Sequence, residues 1–275
     1  MRVVSLHVYP LKSGAGLAPD TVHVEPWGIA GDRRWMVVDA EGVFLSAREE
    51  PRLFHVRVTP EPGGALLLQG PHLDPLRVMP PAPAPVPVRV QRDVVTATPA
   101  GAEADAWLGQ LLERTDVRLV WLDDPRRRPS DPKYSEPGDL VSLADGFPLL
   151  VTTLASLGRL NDWIAEGARE RGEPPTESLP MQRFRPNMVI DPVPEPFAED
   201  TWKRIRVGDM EFRVVKPCAR CVMTTIHPET LAKGKEPLRT LARRHKWNGS
   251  AWFGMNLIPV REGELHLGDP VSVLE

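Results

Sequence analysis

The chain has 275 residues, enough to bury one large core or two of ordinary size, and two are expected. Its 34 basic and 37 acidic side chains leave a formal charge of −3, which excludes the global cationic field of a nucleic-acid binder, so any cationic site must be local. Two cysteines three positions apart are too few for a disulfide framework and read as reduced thiols; with no secretory apolar segment at the start and no apolar run long enough to span a membrane, the expectation is a soluble, cytoplasmic protein without a membrane partner.

Residues 2–9, RVVSLHVY, alternate apolar and polar side chains as a half-buried strand does, and Pro10 stops them. The loop Leu11-Lys12-Ser13-Gly14 then brings together an ammonium, a hydroxyl and a flexible backbone, a combination that can hold an oxyanion. Strand signals follow at 21–25, 35–39 and 43–46, the last two forming a hairpin about Glu41-Gly42, with Gly31-Asp32-Arg33-Arg34 leading into the first of them. Further short strands are expected at 53–59, 65–69, 86–91 and 94–98; strands this closely spaced indicate an antiparallel barrel or sandwich. The segment 79–87, MPPAPAPVP, reads as a polyproline-like connector within it.

The spacing of Ala104, Trp107, Leu108 and Leu111 predicts a helix over 103–113, followed by a buried strand at 117–122. The polar, proline-rich stretch from Asp123 to Gly138 marks a domain junction or a loop over a site, and its Arg126-Arg127-Arg128 reads as a solvated surface run. A buried strand at 147–152 is expected to lead into a helix capped by Thr152 or Thr153 and ending at Gly167, with Leu154, Leu157, Leu160, Trp163 and Ile164 inward. Arg183-Phe184-Arg185-Pro186-Asn187 precedes another buried strand, and residues 204–216 form a hairpin about Gly208-Asp209. A short helix at 236–245, a strand at 252–259 and a last hairpin over 265–274 complete the mainly β, α+β reading.

The chemistry centres on Lys216-Pro217-Cys218-Ala219-Arg220-Cys221-Val222-Met223-Thr224-Thr225, which holds both cysteines beside two cations that favour a thiolate. A thioredoxin-like dithiol would open a helix here, but Val222–Ile226 is β-branched and reads as strand. A zinc ribbon would need a second ligand pair that the sequence lacks. A third option is one thiolate as ligand to a metal carried by an anionic organic cofactor, which would also explain the arginines, and the bland reading is that the two cysteines are small buried hydrophobes under a strand.

YPLKSG, GDRRW, SAREEPRL, FRPN, KPCARCVMTT and a closing LGDPV, in this order from about Val3 to Val273, resemble the MOSC family of molybdenum-cofactor proteins in its two-part form, and are most similar to the amidoxime-reducing components and their bacterial relatives. The resemblance implies an N-terminal antiparallel β-barrel domain over 1–122 and a MOSC β-barrel domain with flanking helices over 123–275. It implies Cys221 as the molybdenum ligand and catalytic cysteine, and Lys12, Ser13, Arg33, Arg185, Asn187 and Arg220 as contacts to the molybdenum–molybdopterin cofactor. Gly146, Phe147 and Ala219 stand where hydroxyl side chains are usual, so Gly146 and Phe147 would contact it through backbone. Cys218 has a counterpart in some members without being the metal ligand. The chain ends at Glu275 without the ferredoxin domain that bacterial relatives often carry, so the implied activity, reduction of small N-hydroxylated substrates (N–OH or N-oxide), would draw electrons from a separate flavoprotein, ferredoxin or b-type cytochrome. Two alternatives remain at this point: sulfur transfer through a cysteine persulfide, and a non-catalytic cofactor carrier.

Overall fold

The computed structural model describes residues 1–174 and 177–275. Its largest sheet has eight strands, seven of them in the path Arg2–Leu6, Met188–Asp191, Leu149–Thr153, Ser250–Pro259, Met210–Ala219, Arg204–Val207 and Val271–Val273, with Lys246–Trp247 beside Ser250–Pro259. The sheet curls until its ends meet: Val3 N–H donates to Asp269 O at 2.9 Å and Gly268 N–H to Val3 O at 2.9 Å, which leaves little edge unpaired. Val3, Leu6, Val151, Ile190, Ile205, Phe212 and Leu257 fill the interior. One neighbouring pair, Leu149–Thr153 and Met188–Asp191, is parallel and therefore needs a crossover, which helix Leu154–Glu170 supplies. Thr153 caps that helix by accepting from Ser156 N–H at 3.1 Å.

The first strand, Arg2–Leu6, belongs to this sheet, and Thr21–Glu25 pairs with Gly263–His266 beneath it. One strand from the start of the chain is thus built into the barrel that the second half of the sequence makes, and a second pairs in a separate small sheet with a strand from that half, so both cross the 122/123 line. Between them and the strand Leu149–Thr153 lies the other half of the molecule. It consists of a four-stranded sheet (Trp35–Val38, Arg118–Trp121, Asp93–Pro99, Val86–Val90), a three-stranded sheet (Arg57–Pro60, Leu66–Gln69, Leu76–Val78) and helix Ala102–Leu112. Trp35–Val38 is buried on both faces. Trp35 and Val37 pack with Trp107 and Leu108 of the helix, while Met36 and Val38 pack with Val88, Val90 and Leu122, which accounts for its unbroken apolar sequence.

Several elements depart from the sequence reading. Residues 265–274 do not form a hairpin: Gly263–His266 pairs with Thr21–Glu25, whereas Val271–Val273 pairs with Arg204–Val207, so the turn at Gly268-Asp269 changes sheets as it closes the barrel on Val3. The expected strand at 53–59 begins only at Arg57, because Pro51–His55 is a 3-10 turn started by a proline and capped by the Glu50 carboxylate. Val222–Thr225, expected as strand, is also a 3-10 turn. Thr224 Oγ1 donates to Cys221 O at 2.9 Å and Thr225 Oγ1 to Val222 O at 2.7 Å, local bonds that replace a strand ladder. Leu154, expected inward, is exposed at the helix start. Of the arginine run, Arg126 and Arg127 pair at the surface with Asp124 and Asp123, but Arg128 is buried.

Arg128 donates to the carbonyls of Ser142 and Ala144 and pairs with Asp93 at 2.9 Å, pinning the segment that leads into Asp145, Gly146 and Phe147. Hydrogen bonds to a charged donor are each worth about 1.5–3 kcal/mol. Arg128→Met is therefore expected to lower stability to urea by about 3 kcal/mol and to speed amide exchange in residues 142–147, both measurable on the purified protein.

Candidate functional site

Between the two halves lies a cleft lined by all nine residues expected from the sequence: Lys12, Ser13, Arg33, Gly146, Phe147, Arg185, Asn187, Arg220 and Cys221. Six lining side chains are cationic (Lys12, Arg33, Arg48, Arg183, Arg185 and Arg220) and one, Asp145, is acidic. In a chain of net charge −3 the cleft is therefore a locally cationic site.

The wall that carries most of this charge is built from loops of the first half and the segment 183–187. Asp32, fully buried, accepts from Tyr9 N–H at 2.8 Å through one carboxylate oxygen and from Arg33 at 2.5 Å through the other. Arg33 also donates to Asn187 Oδ1 at 3.0 Å and to Arg185 O at 3.1 Å, and it lies 4.5 Å from the centre of the Tyr9 ring. Arg185 lies 4.1 Å from the same ring and donates to Gly14 O at 2.7 Å. Tyr9 thus holds two guanidinium groups by cation–π contact. Burial pushes the Tyr9 hydroxyl up to about 12, the nearby guanidinium groups opposing it, and burial lowers Arg185 to about 10.

Asn187 has its amide committed within the protein: Oδ1 accepts from Arg33 and from Leu150 N–H at 3.2 Å, and Nδ2 donates to His7 O at 3.2 Å. Its place in the site is to orient Arg33. Ser13, Arg33 and Arg185 all have left-handed backbone, with φ of 70°, 46° and 52°. Such conformations cost about 1–3 kcal/mol each in non-glycine residues and concentrate where side chains must be aimed.

The thiol wall is made by the end of strand Met210–Ala219. Its register against Ser250–Pro259 shifts between Val214 and Lys216 and again between Pro217 and Ala219, irregularities that re-aim side chains at a sheet rim. Asn256 steadies the irregular stretch by donating to Lys216 O at 3.1 Å. Arg220 donates to Cys218 Sγ at 2.9 Å and to Phe184 O at 2.5 Å, while Arg183 donates to Thr224 O at 2.9 Å and fastens the turn that begins at Cys221. The two thiols are free and half-buried. Cys218 is engaged by a guanidinium; Cys221 stands at the start of the 3-10 turn.

Tyr9, Asp32, Asp145, Arg183 and Asn256 are the contributors that the sequence reading did not assign. Arg183 was visible as a second arginine beside FRPN. Asp145 pairs with Lys12 across 133 residues of sequence, a contact no local pattern announces.

The site fits a ligand with an anionic end and a metal end. Among the described residues, Arg185 Nη2 and Arg220 Nε are buried donors without a partner, which an anionic group in the cleft would satisfy. No group of three or more His, Cys, Asp or Glu side chains suited to a metal occurs among the described residues. A metal at Cys221 would accordingly take its other ligands from the molecule that brings it.

Comparison with known proteins agrees with this geometry. The profile of the MOSC N-terminal beta barrel domain matches residues 1–115, and that of the MOSC domain matches residues 139–272. Mitochondrial amidoxime-reducing component 1 of Danio rerio is 33% identical over 98% of this chain and 83% of its own length; the Homo sapiens protein of the same name is 30% identical over 99% and 82%. Molybdenum cofactor sulfurase of Danio rerio is 32% identical over 93% of this chain, which corresponds to 31% of that longer protein. The chain belongs to the MOSC-domain family that includes the amidoxime-reducing components.

The Tyr9 environment is directly testable. In Tyr134→Phe, which leaves Tyr9 as the single tyrosine of the two, tyrosinate absorbance is expected to appear with a midpoint of about 12. Because the folded protein holds this proton more tightly than the unfolded chain does, stability is full below the unfolded value of roughly 10 and falls as pH rises through the folded value. A midpoint near 10 with no such fall would mean that Tyr9 is solvated.

Proposed function

We propose that the protein is a molybdenum-cofactor oxidoreductase that reduces N-hydroxylated compounds, using electrons from a separate donor and working in the cytoplasm, where its free thiols stay reduced. The observation that carries this reading is the two-ended cleft, with buried guanidinium groups and a lysine on one wall and a cysteine thiol on the other. Membership of the family, and the relatives' name of amidoxime-reducing component, support the class of reaction. No helix among the described residues is long and apolar enough to cross a membrane.

Molybdopterin ends in a phosphate, and Lys12, Arg33 and Arg185 would hold that end by charge-assisted hydrogen bonds, with Arg220 between the two ends. Cys221 would be the one protein ligand to molybdenum. When bound, the cofactor supplies two-electron oxygen-atom chemistry, so that an N–OH group with two electrons and two protons leaves as N–H and water. The protein's own part is to bind, orient and shield. Asp32 and Asn187 fix Arg33, Tyr9 spaces Arg33 from Arg185, and Arg183 and Asn256 fix the backbone on either side of the thiols. Phe147 and Phe184 add buried apolar lining to the cleft. The electron donor is a flavoprotein, a ferredoxin or a b-type cytochrome, a proposal that rests on the family resemblance.

A second reading follows from the guanidinium on Cys218 and from the relative named as a sulfurase: a persulfide held by the thiols and passed on as sulfur. One set of variants separates the two. Protein from a cofactor-making host is expected to reduce a benzamidoxime with a supplied donor, and Cys221→Ala is expected to lose more than about 100-fold of that activity. Arg185→Ala, losing about 1.5–3 kcal/mol of phosphate contact, is expected to retain the cofactor roughly 10- to 100-fold less tightly on gel filtration. Full activity in Cys221→Ala, together with cyanolysable sulfur on the wild-type thiols, would favour sulfur transfer.

A further inference from the structure

We propose that Asp145 is a built-in competitor for the anionic end of the ligand: its carboxylate sits on Lys12 where a phosphate would sit, and a phosphate has to displace it. This rests on the phosphate-bearing ligand argued above. Lys12 is only 5% exposed, and the one acceptor its ammonium has among the described residues is Asp145. On its other side lies the ring of Phe44, whose centre is 4.8 Å away. The Asp145 side chain is 74% exposed, so it reaches the buried ammonium from the open side of the cleft, the direction from which a ligand must come.

Arg128 fixes the carbonyls of Ser142 and Ala144 just before Asp145, and the space beside Gly146 is open, since a Cβ added there would meet nothing within 4 Å, so there is room for the carboxylate to swing off Lys12. Asp145 is also the one acid among the residues lining a cleft with six cations. The Lys12 ammonium holds its carboxyl well below the usual carboxylate range, with Arg33 and Arg48 adding to the effect, so it stays anionic and competes at every physiological pH.

The consequence is selectivity. A tethered carboxylate acts at an effective concentration on the order of millimolar or higher, so free orthophosphate, which has a single point of attachment, meets a competitor comparable with its own abundance. A ligand that also reaches Cys221 has a second anchor and overcomes the same competitor. Asp145 thereby works as an element against the wrong anion, making the site discriminate between a phosphate alone and a phosphate borne on a metal-carrying molecule.

The test uses the full chain purified from a host that makes no molybdenum cofactor, titrated calorimetrically with inorganic phosphate. Asp145→Asn and Asp145→Ser are both expected to bind phosphate about tenfold more tightly than wild type, and phosphate is expected to raise their unfolding temperatures more than it raises that of wild type. The Lys12→Met background is expected to abolish the difference. If both variants bind phosphate no more tightly than wild type while Arg185→Ala still weakens binding, the competitor role of Asp145 is wrong and the phosphate-binding cleft stands. If phosphate binds neither wild type nor the Asp145 variants, both the competitor and the phosphate end of the proposed function fail.

Discussion

Two guanidinium groups on one tyrosine ring would repel one another, and the buried carboxylate of Asp32 is what makes the arrangement tenable. One oxygen of Asp32 fixes the backbone of Tyr9 and the other fixes Arg33, so ring and guanidinium are set by the same group. Arg33 in turn bonds Asn187 and the carbonyl of Arg185, which belong to the other half of the molecule. A single buried charge therefore couples the loops after the first strand to the segment before Met188–Asp191. A buried acid left without its partner, or a buried guanidinium left without its acid, costs several kcal/mol, so the two halves are held in the relative position that forms the cleft.

This coupling depends on the way the first residues are used. Arg2–Leu6 is a strand of the large sheet, so the loop carrying Tyr9, Lys12 and Ser13 emerges directly at its rim, beside the strands that bring Asn187 and the thiols. The irregular end of Met210–Ala219 then turns the cysteines toward that loop. The division between the thiols follows from their neighbours. Cys218 meets a guanidinium, whereas Cys221 follows the strand and its backbone carbonyl accepts from Thr224 in the turn after it, a difference that supports the proposed assignment of Cys221 as the ligand.

Much of this was legible in the sequence. Short alternating runs announced the strands, a helix with Trp107 and Leu108 inward was placed within a residue or two, and it was the resemblance to the MOSC family that singled out Lys12, Arg33, Arg185 and Cys221, all of which line the cleft. What escaped the reading depends on distance along the chain or on hydrogen bonds that override local pattern. Asp32 was given no role beyond the segment leading into a strand, and the Arg33 it holds meets Asn187, 154 residues away. Arg128 looked like its solvated neighbours and is buried because two carbonyls and Asp93 await it. The threonines after Cys221 have strand propensity but close a 3-10 turn on the preceding carbonyls. The closing segment 263–273 has hairpin grammar, yet its strands separate because Gly263–His266 takes a distant N-terminal partner, Thr21–Glu25, while Val271–Val273 pairs with Arg204–Val207.

The central claim is that one cleft holds one molecule at both ends, phosphate on the Arg33–Tyr9–Arg185 wall and metal on Cys221. Molybdenum analysis together with pterin fluorescence, on one sample purified from a cofactor-making host, addresses it most directly. The account predicts molybdenum and pterin in equal amounts, approaching one of each per chain. Protein that contains neither, and that stays free of both after incubation with the cofactor, would contradict it.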